Sequence, residues 1–327
     1  MGTSSTPQHR IGSGFGAHST AAEVAAGVDL TGRTALVTGG YSGLGLETTR
    51  ALAGAGARVI VPARRPETAR AALHDIPGTD VAALDLSDLE SVRAFAGGVL
   101  DSGRTLDLLI ANAGVMATPE QRVGRGREFQ FATNHLGHFA LVNQLRPALA
   151  PSGARVVSLT SSGHFLTGIR WDDIDFRTGY DRWLAYGQAK TANALFALHL
   201  DRLGAASGVR AYAVHPGSIL TPLQRHIPRE EWAGRGWLTE TGAPPAGFKT
   251  PEQGAATSVW AATSPLLDAD GGAYGGAYCQ DCDLAESVPD DADDMLVGGV
   301  KSWARDPEAA ARLWALSAEL TGVDAFA

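Results

Sequence analysis

The stretch from Thr34 to Gly45 constrains this chain more than any other. Thr34-Ala35-Leu36-Val37 is a short apolar run suited to a buried strand, and it leads straight into Thr38-Gly39-Gly40-Tyr41-Ser42-Gly43-Leu44-Gly45. A helical pattern follows, with Leu46, Leu52 and Ala53 on its apolar side. Strand, glycine-rich turn and helix in that order can cradle a dinucleotide pyrophosphate, because the unpaired N–H groups at the helix start face the anion. Gly39 would allow the tight turn, Gly43 the approach of backbone to phosphate, and Gly45 the close packing of helix on strand. The spacing is Gly-x-x-x-Gly-x-Gly rather than Gly-x-Gly-x-x-Gly, so alone it also fits an ordinary glycine-rich loop.

Apolar runs of strand length recur downstream and alternate with helical stretches, which predicts an α/β fold with a doubly wound parallel sheet flanked by helices. Strands are expected at Thr34–Thr38, Arg58–Ala63, Asp80–Asp85, Leu106–Ala111, Arg155–Thr160, Arg210–His215 and near Gly276–Tyr278. The clearest helices are Gly43–Ala55, Leu89–Ser102, Glu128–Leu149 and Leu184–Gly204. Thr20-x-x-Glu23 has the form of a capping box and predicts a short helix through Val28. A closing helix is expected from Asp306 as N-cap, with Pro307 in its first turn, to Leu320 before Gly322.

Tyr186 and Lys190 stand four apart in Tyr-Gly-Gln-Ala-Lys, a spacing that puts both on one helix face. A nearby cation favours the phenolate and is expected to draw the Tyr186 pKa down toward neutrality, where the phenol can serve as acid or base.

Thr38 to Gly45, Asn112-Ala113-Gly114, Asn134, Ser161, Tyr186 to Lys190 and Pro216-Gly217 occur in an order that resembles the short-chain dehydrogenases/reductases of the classical type. The likeness covers roughly residues 30 to 285. Asn134-His135-Leu136-Gly137-His138-Phe139, His164 after the serines, and Asp281-Cys282 resemble the retinol-dehydrogenase and WW-domain-oxidoreductase branch, here without a WW domain. The resemblance implies a single Rossmann-type domain over residues 31–285, with a lid at about 221–252. Residues 1–30 would form an N-terminal extension and 286–327 a C-terminal extension carrying the closing helix.

The same likeness implies a catalytic set of Asn134, Ser161, Tyr186 and Lys190. Tyr186 would exchange the proton at the substrate oxygen, and Lys190 would also bind the nicotinamide ribose. Ser161 would orient the substrate oxygen, with Ser162 as fallback, and Asn134 would hold a water linking Lys190 to solvent. Gly39, Tyr41, Ser42, Gly43, Leu44 and Gly45 would hold the pyrophosphate, Asp85 and Leu86 the adenine, and Asn112, Ala113 and Gly114 the loop beside it. Ala111 replaces the first Asn of the family's Asn-Asn-Ala-Gly motif, which puts part of its hydrogen bonding in doubt. Pro216, Gly217, Ile219 and Thr221 would meet the nicotinamide. Where an NAD-preferring protein presents an acid to the ribose 2′-hydroxyl, this chain has Arg64-Arg65 and no acid before Glu67. A guanidinium suits a 2′-phosphate, so NADP(H) is the expected cofactor.

His135, His138 and His164 lack further ligands at metal-binding spacing and are read as packing residues or supports, with no metal. Cys279 and Cys282 are read as two reduced, unlinked thiols, and the acidic run Asp290–Asp294 as a solvated loop. The long segment after Thr221 is expected to close an apolar pocket. It offers Leu223, His226, Ile227, Trp232, Trp237, Pro244, Pro245 and Phe248, facing Phe165, Leu166, Trp171 and Trp183.

A formal charge of -8 without a basic stripe argues against nucleic acid as partner. No apolar run approaches the ~20 residues of a membrane span, and Met1 to Ala17 lacks the basic and apolar regions of a signal peptide. A cytoplasmic, bacterial protein is expected. These features together predict an NADP(H)-dependent oxidoreductase interconverting a carbonyl and an alcohol on a lipophilic or secondary-metabolite-like substrate. A carbon–carbon double-bond reductase of the protochlorophyllide-reductase kind and a non-catalytic NADP(H)-binding sensor remain alternatives. The resemblance also allows a homodimer or homotetramer built on the helices carrying Asn134 and Tyr186, which the two extensions could block or augment.

Overall fold

The computed structural model describes residues 6–149 and 153–326, so Met1–Ser5 of the N-terminal extension lie outside the described residues. The strands are β1 (Thr34–Val37), β2 (Arg58–Ala63), β3 (Thr79–Ala83), β4 (Leu108–Ala111), β5 (Arg122–Val123), β6 (Arg127–Glu128), β7 (Ala154–Leu159), β8 (Val209–His215), β9 (Tyr278–Gln280) and β10 (Asp283–Leu284). The helices are α1 (Ala21–Ala25), α2 (Gly43–Gly54), α3 (Pro66–Ala72), α4 (Leu89–Asp101), α5 (Phe129–Phe131), α6 (Gly137–Leu145), α7 (Arg182–Gly204), α8 (Arg229–Gly234), α9 (Pro251–Thr263) and α10 (Pro307–Thr321).

Eight strands form one sheet in the order β10-β9-β8-β7-β4-β1-β2-β3, parallel except where β10 returns antiparallel along β9. Strand order reverses at β1, which pairs with β2 on one side and β4 on the other. The crevice beyond the carboxyl ends of these strands is where such sheets take ligands. Both faces of the sheet are buried. One face carries Leu36, Ile60, Leu109, Val156 and Ala211 into a core with α4, α6 and α7, and the other carries Val37, Val59, Ile110, Val157 and Val214 toward α1, α2 and α9.

Several expected boundaries move. The first helix ends at Ala25 rather than Val28, where Gly27 turns the chain with a φ of 80°. β3 stops two residues early because the Asp85 carboxylate accepts from the Ser87 N–H at 2.9 Å and makes a local turn. The last parallel strand begins at Tyr278, after Gly276 adopts a φ of 77°. α7 starts at Arg182, capped by Asp181, whose side chain accepts from the N–H groups of Trp183 and Leu184.

The helix expected over Glu128–Leu149 is not continuous. Glu128 caps a single turn, Ala132–Leu136 winds as a π-helical turn, α6 follows, and Arg146–Ala148 closes as a 3₁₀ turn containing Pro147. A Cβ on Gly137 would lie 2.2 Å from the Leu86 carbonyl oxygen, so the chain passes that strand end at backbone contact. π-helical turns of this kind are frequent at functional sites, and this one carries Asn134.

The closing helix runs from the Asp306 cap to Thr321, with Gly322 left-handed at φ 75°. Far from being peripheral, it covers α6 and α7. Trp314 stacks on Phe196 at 5.8 Å between centroids and meets Phe139 edge-on at 4.8 Å. His135 and Ser317 are hydrogen-bonded at 2.8 Å. The acidic run is exposed as expected, yet Asp290 accepts from both the N–H and the hydroxyl of Ser302.

Candidate active site

α7 is stitched to the carboxyl end of β7 by buried polar groups. The Thr160 hydroxyl donates to the Lys190 carbonyl at 2.8 Å, the Lys190 ammonium to the Leu159 carbonyl at 3.1 Å, and the Asn193 amide to the same oxygen at 2.9 Å. These bonds fix the helix in rotation and height, and so place Tyr186 and Lys190 at the sheet end. The Lys190 ammonium lies 5.6 Å from the centre of the Tyr186 ring. Ser161 follows β7 and starts a 3₁₀ turn, its hydroxyl accepting from the Gly163 N–H at 3.0 Å.

The expected fall in the Tyr186 pKa is not what this geometry gives. Burial pushes the phenol up to about 12, and a hydrogen bond with Ser161 only partly opposes it. Burial also draws the Lys190 ammonium down to about 8. Desolvation therefore outweighs the mutual influence of the pair, as it does for ionisable groups held away from water.

Asn134 is buried in the π-helical turn with both ends of its amide engaged. Its side chain accepts from the Val115 N–H at 2.8 Å and donates to the Val115 carbonyl at 2.9 Å, pairing like a strand with the segment that follows Gly114. A Cβ on Gly114 would meet the Asn134 carboxamide oxygen at 3.2 Å and the Lys190 ammonium at 3.8 Å, so this glycine sits between the two. Ala111 contributes only apolar packing in β4. The loop is held instead by Thr38, whose hydroxyl accepts from the N–H groups of Asn112 and Ala113 at 2.9 Å and meets His138 Nε2 at 2.9 Å.

One cavity of about 840 Å³ runs along the sheet's carboxyl edge. It is lined by Gly39, Tyr41, Ser42, Gly43, Leu44, Gly45, Arg64, Arg65, Asp85, Leu86, Asn112, Ala113 and Gly114, and farther along by Ser161, Tyr186, Lys190, Pro216, Gly217, Ile219 and Thr221. Asn134 stands behind it. The glycine turn fits a pyrophosphate on two counts. Ser42 caps α2 without a side-chain bond, leaving the helix start open to an anion, and a Cβ on Gly45 would clash with the Gly39 carbonyl at 2.3 Å.

At the other end the segment after Thr221 packs on the start of α7. Glu231 of α8 pairs with Arg182, with Arg235 at 2.9 Å, and accepts from the Trp183 indole at 3.1 Å. Arg235 in turn lies 3.8 Å over the Trp183 ring. Leu166, Trp183, Leu223, Trp237 and Phe248 do line the cavity. The other expected wall residues do not. Phe165 packs under the Lys301 ammonium, Trp171 under Arg312, and Ile227 and Trp232 in an apolar cluster with Met116, Ala117 and Tyr186, while His226, Pro244 and Pro245 are absent from the lining.

Sequence reasoning missed that Asp293 and Asp294 of the acidic run, with Met295 and Leu296 after it, line the cavity. It also missed Lys249. This side chain crosses Gly217, where a Cβ would meet its Cε at 2.8 Å, and pairs with Asp281 at 2.6 Å. Asp281 and Cys282 both have positive φ, 55° and 58°, in the turn between β9 and β10. A pair of non-glycine residues in the left-handed region is uncommon, and here it accompanies the pairing of the Asp281 carboxylate with Lys249 over Gly217. Cys279 and Cys282 are free and buried, and burial raises both thiols, Cys282 to about 11.

The family model for short chain dehydrogenases matches residues 33–232. The chain belongs to the short-chain dehydrogenase family. It is 46% identical over 302 residues to a probable oxidoreductase of Streptomyces lividans, covering 89% of this chain and 98% of that one. Human retinol dehydrogenase 11 is 36% identical over 303 residues, covering 90% and 88% respectively, which places the chain on the retinol-dehydrogenase-like branch. The crystal structure of a putative uncharacterized protein from Mycobacterium paratuberculosis superposes with a TM-score of 0.71 at 35% identity, covering 93% of this chain and 98% of that one. As a family member the chain is an oxidoreductase that binds a nicotinamide cofactor.

Proposed function

We propose that this short-chain dehydrogenase uses NADP(H) to reduce a carbonyl on a lipophilic or secondary-metabolite-like substrate to the alcohol. The observation that carries the reading is the single cavity joining the glycine turn and Arg64 to Ser161, Tyr186 and Lys190. The bound cofactor would supply the hydride. Tyr186 would donate the proton at the carbonyl oxygen in reduction and accept it back in oxidation. Ser161 would orient the same oxygen by a hydrogen bond. Lys190 would bind the nicotinamide ribose, and Asn134 would keep the Gly114 loop and Lys190 in register. Pro216, Gly217, Ile219 and Thr221 would face the nicotinamide, and Asp85 and Leu86 the adenine.

Arg64 and Arg65 favour NADP(H) because both guanidiniums border the cavity where β2 ends, and no acid follows β2 before Glu67. Trp183, Trp237, Leu223 and Phe248 support an apolar substrate. A cytoplasmic, bacterial setting belongs to the same proposal, supported by the unlinked thiols and the Streptomyces relative. Assembly through the faces of α6 and α7 is left out of it, since α10 covers them.

The test is a titration of the purified protein with NADPH and NADH, followed by turnover on aliphatic, aromatic and polycyclic ketones. Tighter NADPH binding and ketone-dependent NADPH oxidation are expected. Tyr186→Phe should then cost roughly 10²–10⁴ in turnover with NADPH still bound, and Arg64→Ala should weaken NADPH far more than NADH. Binding without carbonyl turnover, or reduction of a carbon–carbon double bond alone, would overturn the reaction. Equal losses for the two cofactors in Arg64→Ala would overturn the NADP(H) preference.

A further inference from the structure

Arg225 lies in the lid, outside the segment that conventionally reads a dinucleotide's ribose, yet it lines the cavity together with Arg64, Arg65 and Tyr41. It belongs to the 3₁₀ turn Pro222–His226, which rests on the glycine loop. A Cβ on Gly43 would lie 3.4 Å from the Thr221 Cβ and 3.9 Å from the Pro222 ring. Among the described residues none of the three arginines makes an ion pair. Partial burial, and then the charges of Arg64 and Arg65, disfavour the Arg225 cation. The same cavity carries the carboxylates of Asp85, Asp293 and Asp294, but none of them pairs with these arginines, and Asp85 is turned to the Ser87 N–H. Three guanidiniums without an ion-pair partner suit a doubly charged anion, because each can donate charge-assisted bonds to phosphate oxygens.

We infer that Arg225 is a third ligand of the cofactor's 2′-phosphate, delivered from the lid. The inference rests on the NADP(H) reading and adds a consequence to it. The turn moves as a unit, because the Gln224 side chain accepts from the Thr221 N–H at 2.9 Å and donates to the Ile219 carbonyl at 2.7 Å. A phosphate held by Arg225 therefore fixes Ile219 and Thr221, and with them Leu223, which lines the cavity from the same turn. The 2′-phosphate at one end of the cavity thus orders a wall at the other.

The experiment uses 2′,5′-ADP, which carries the phosphate but no nicotinamide, with 5′-AMP as its control. Affinities are measured by calorimetry and lid order by amide hydrogen exchange over residues 219–235. In the wild type, 2′,5′-ADP should bind more tightly than 5′-AMP and should alone slow exchange in the turn. Arg225→Gln should weaken 2′,5′-ADP roughly tenfold, abolish the slowing and leave 5′-AMP unchanged, the last result showing an intact site. Arg225→Lys should keep part of the affinity. Wild-type affinity for 2′,5′-ADP in Arg225→Gln, an equal loss of 5′-AMP, or exchange in the turn indifferent to 2′,5′-ADP would each overturn the inference. A wild-type protein that binds 2′,5′-ADP and 5′-AMP alike would remove the NADP(H) reading itself, and the inference with it.

Discussion

Gly163 lies against Tyr186 so closely that a Cβ there would sit 2.8 Å from Cε1 of the ring and 3.1 Å from Cδ1. The same Cβ would come within 3.4 Å of the Ser161 hydroxyl. The glycine is therefore required by proximity, not by backbone conformation, and the two groups it spares are those proposed to meet the substrate oxygen. Gly163→Ala should displace the ring by a few tenths of an ångström or more. We expect turnover to fall by about 10²-fold, the scale on which small misplacements of catalytic groups are felt. NADPH affinity should hold within a factor of about two, since Gly163 touches no part of the glycine turn. Unchanged turnover, measured beside the cofactor titration, would show that the ring has room to move.

The glycine turn, the parallel strands and the Tyr–Lys helix were legible because each is written in local pattern, whereas the order of the strands in the sheet is not. Apolar runs of four to six residues mark β1, β4 and β7, and glycines mark where the backbone must pass closely. The π-helical turn at Asn134 was not legible, because nothing in the local pattern marks it, and the close approach of Leu86 to Gly137 beside it comes from a distant part of the chain. The same holds for Lys249, whose meaning depends on a carboxylate 32 residues away in a left-handed turn. For Tyr186 the sequence pointed to a lowered pKa, whereas burial raises it. The Tyr–Lys spacing shows the cation and conceals the burial.

Lys249 and Asp281 form a nearly buried pair, with 7% and 15% of their side chains exposed. Burial would raise the Asp281 carboxyl, but Lys249 more than offsets it and leaves the group below its usual value. Lys249→Met keeps the stem over Gly217 and strands the carboxylate. The expected cost is about 3–5 kcal/mol of stability, typical of breaking a buried pair from one side, read as a lower denaturant midpoint. Lys249→Met with Asp281→Asn should recover part of it. Because the pair depresses the Asp281 pKa, its contribution is present above the ordinary carboxylate range and is lost as pH falls through the depressed value. The deficit of the single variant should therefore shrink in acid. A single variant as stable as the wild type at neutral pH would show that the ion pair contributes nothing.

His135, His138, His164 and His215 are buried, and desolvation favours their neutral form. Burial lowers His135 and His215 from 6.5 to about 3, and His138 and His164 to about 4. Each is held by named partners. His138 bridges Thr38 and the Asn134 carbonyl, His164 meets the Ser161 carbonyl at 2.7 Å, and His215 accepts from the Ser162 N–H at 3.2 Å. Since the folded values lie below the ordinary one, the unfolded chain takes up these protons first. Stability from this source is complete above pH ~6.5 and falls as pH drops toward 4 and below. Four protons bound on unfolding give a slope approaching about 5 kcal/mol per pH unit within that window. Urea midpoints at pH 7.5, 6.0 and 5.0 should fall progressively more steeply, and His138→Gln, which can keep a hydrogen bond to Thr38 without titrating, should flatten the decline. A midpoint that stays level down to pH 5 would mean that these imidazoles find water or charge partners when protonated, and that the Thr38–His138–Asn134 link is not closed to protons.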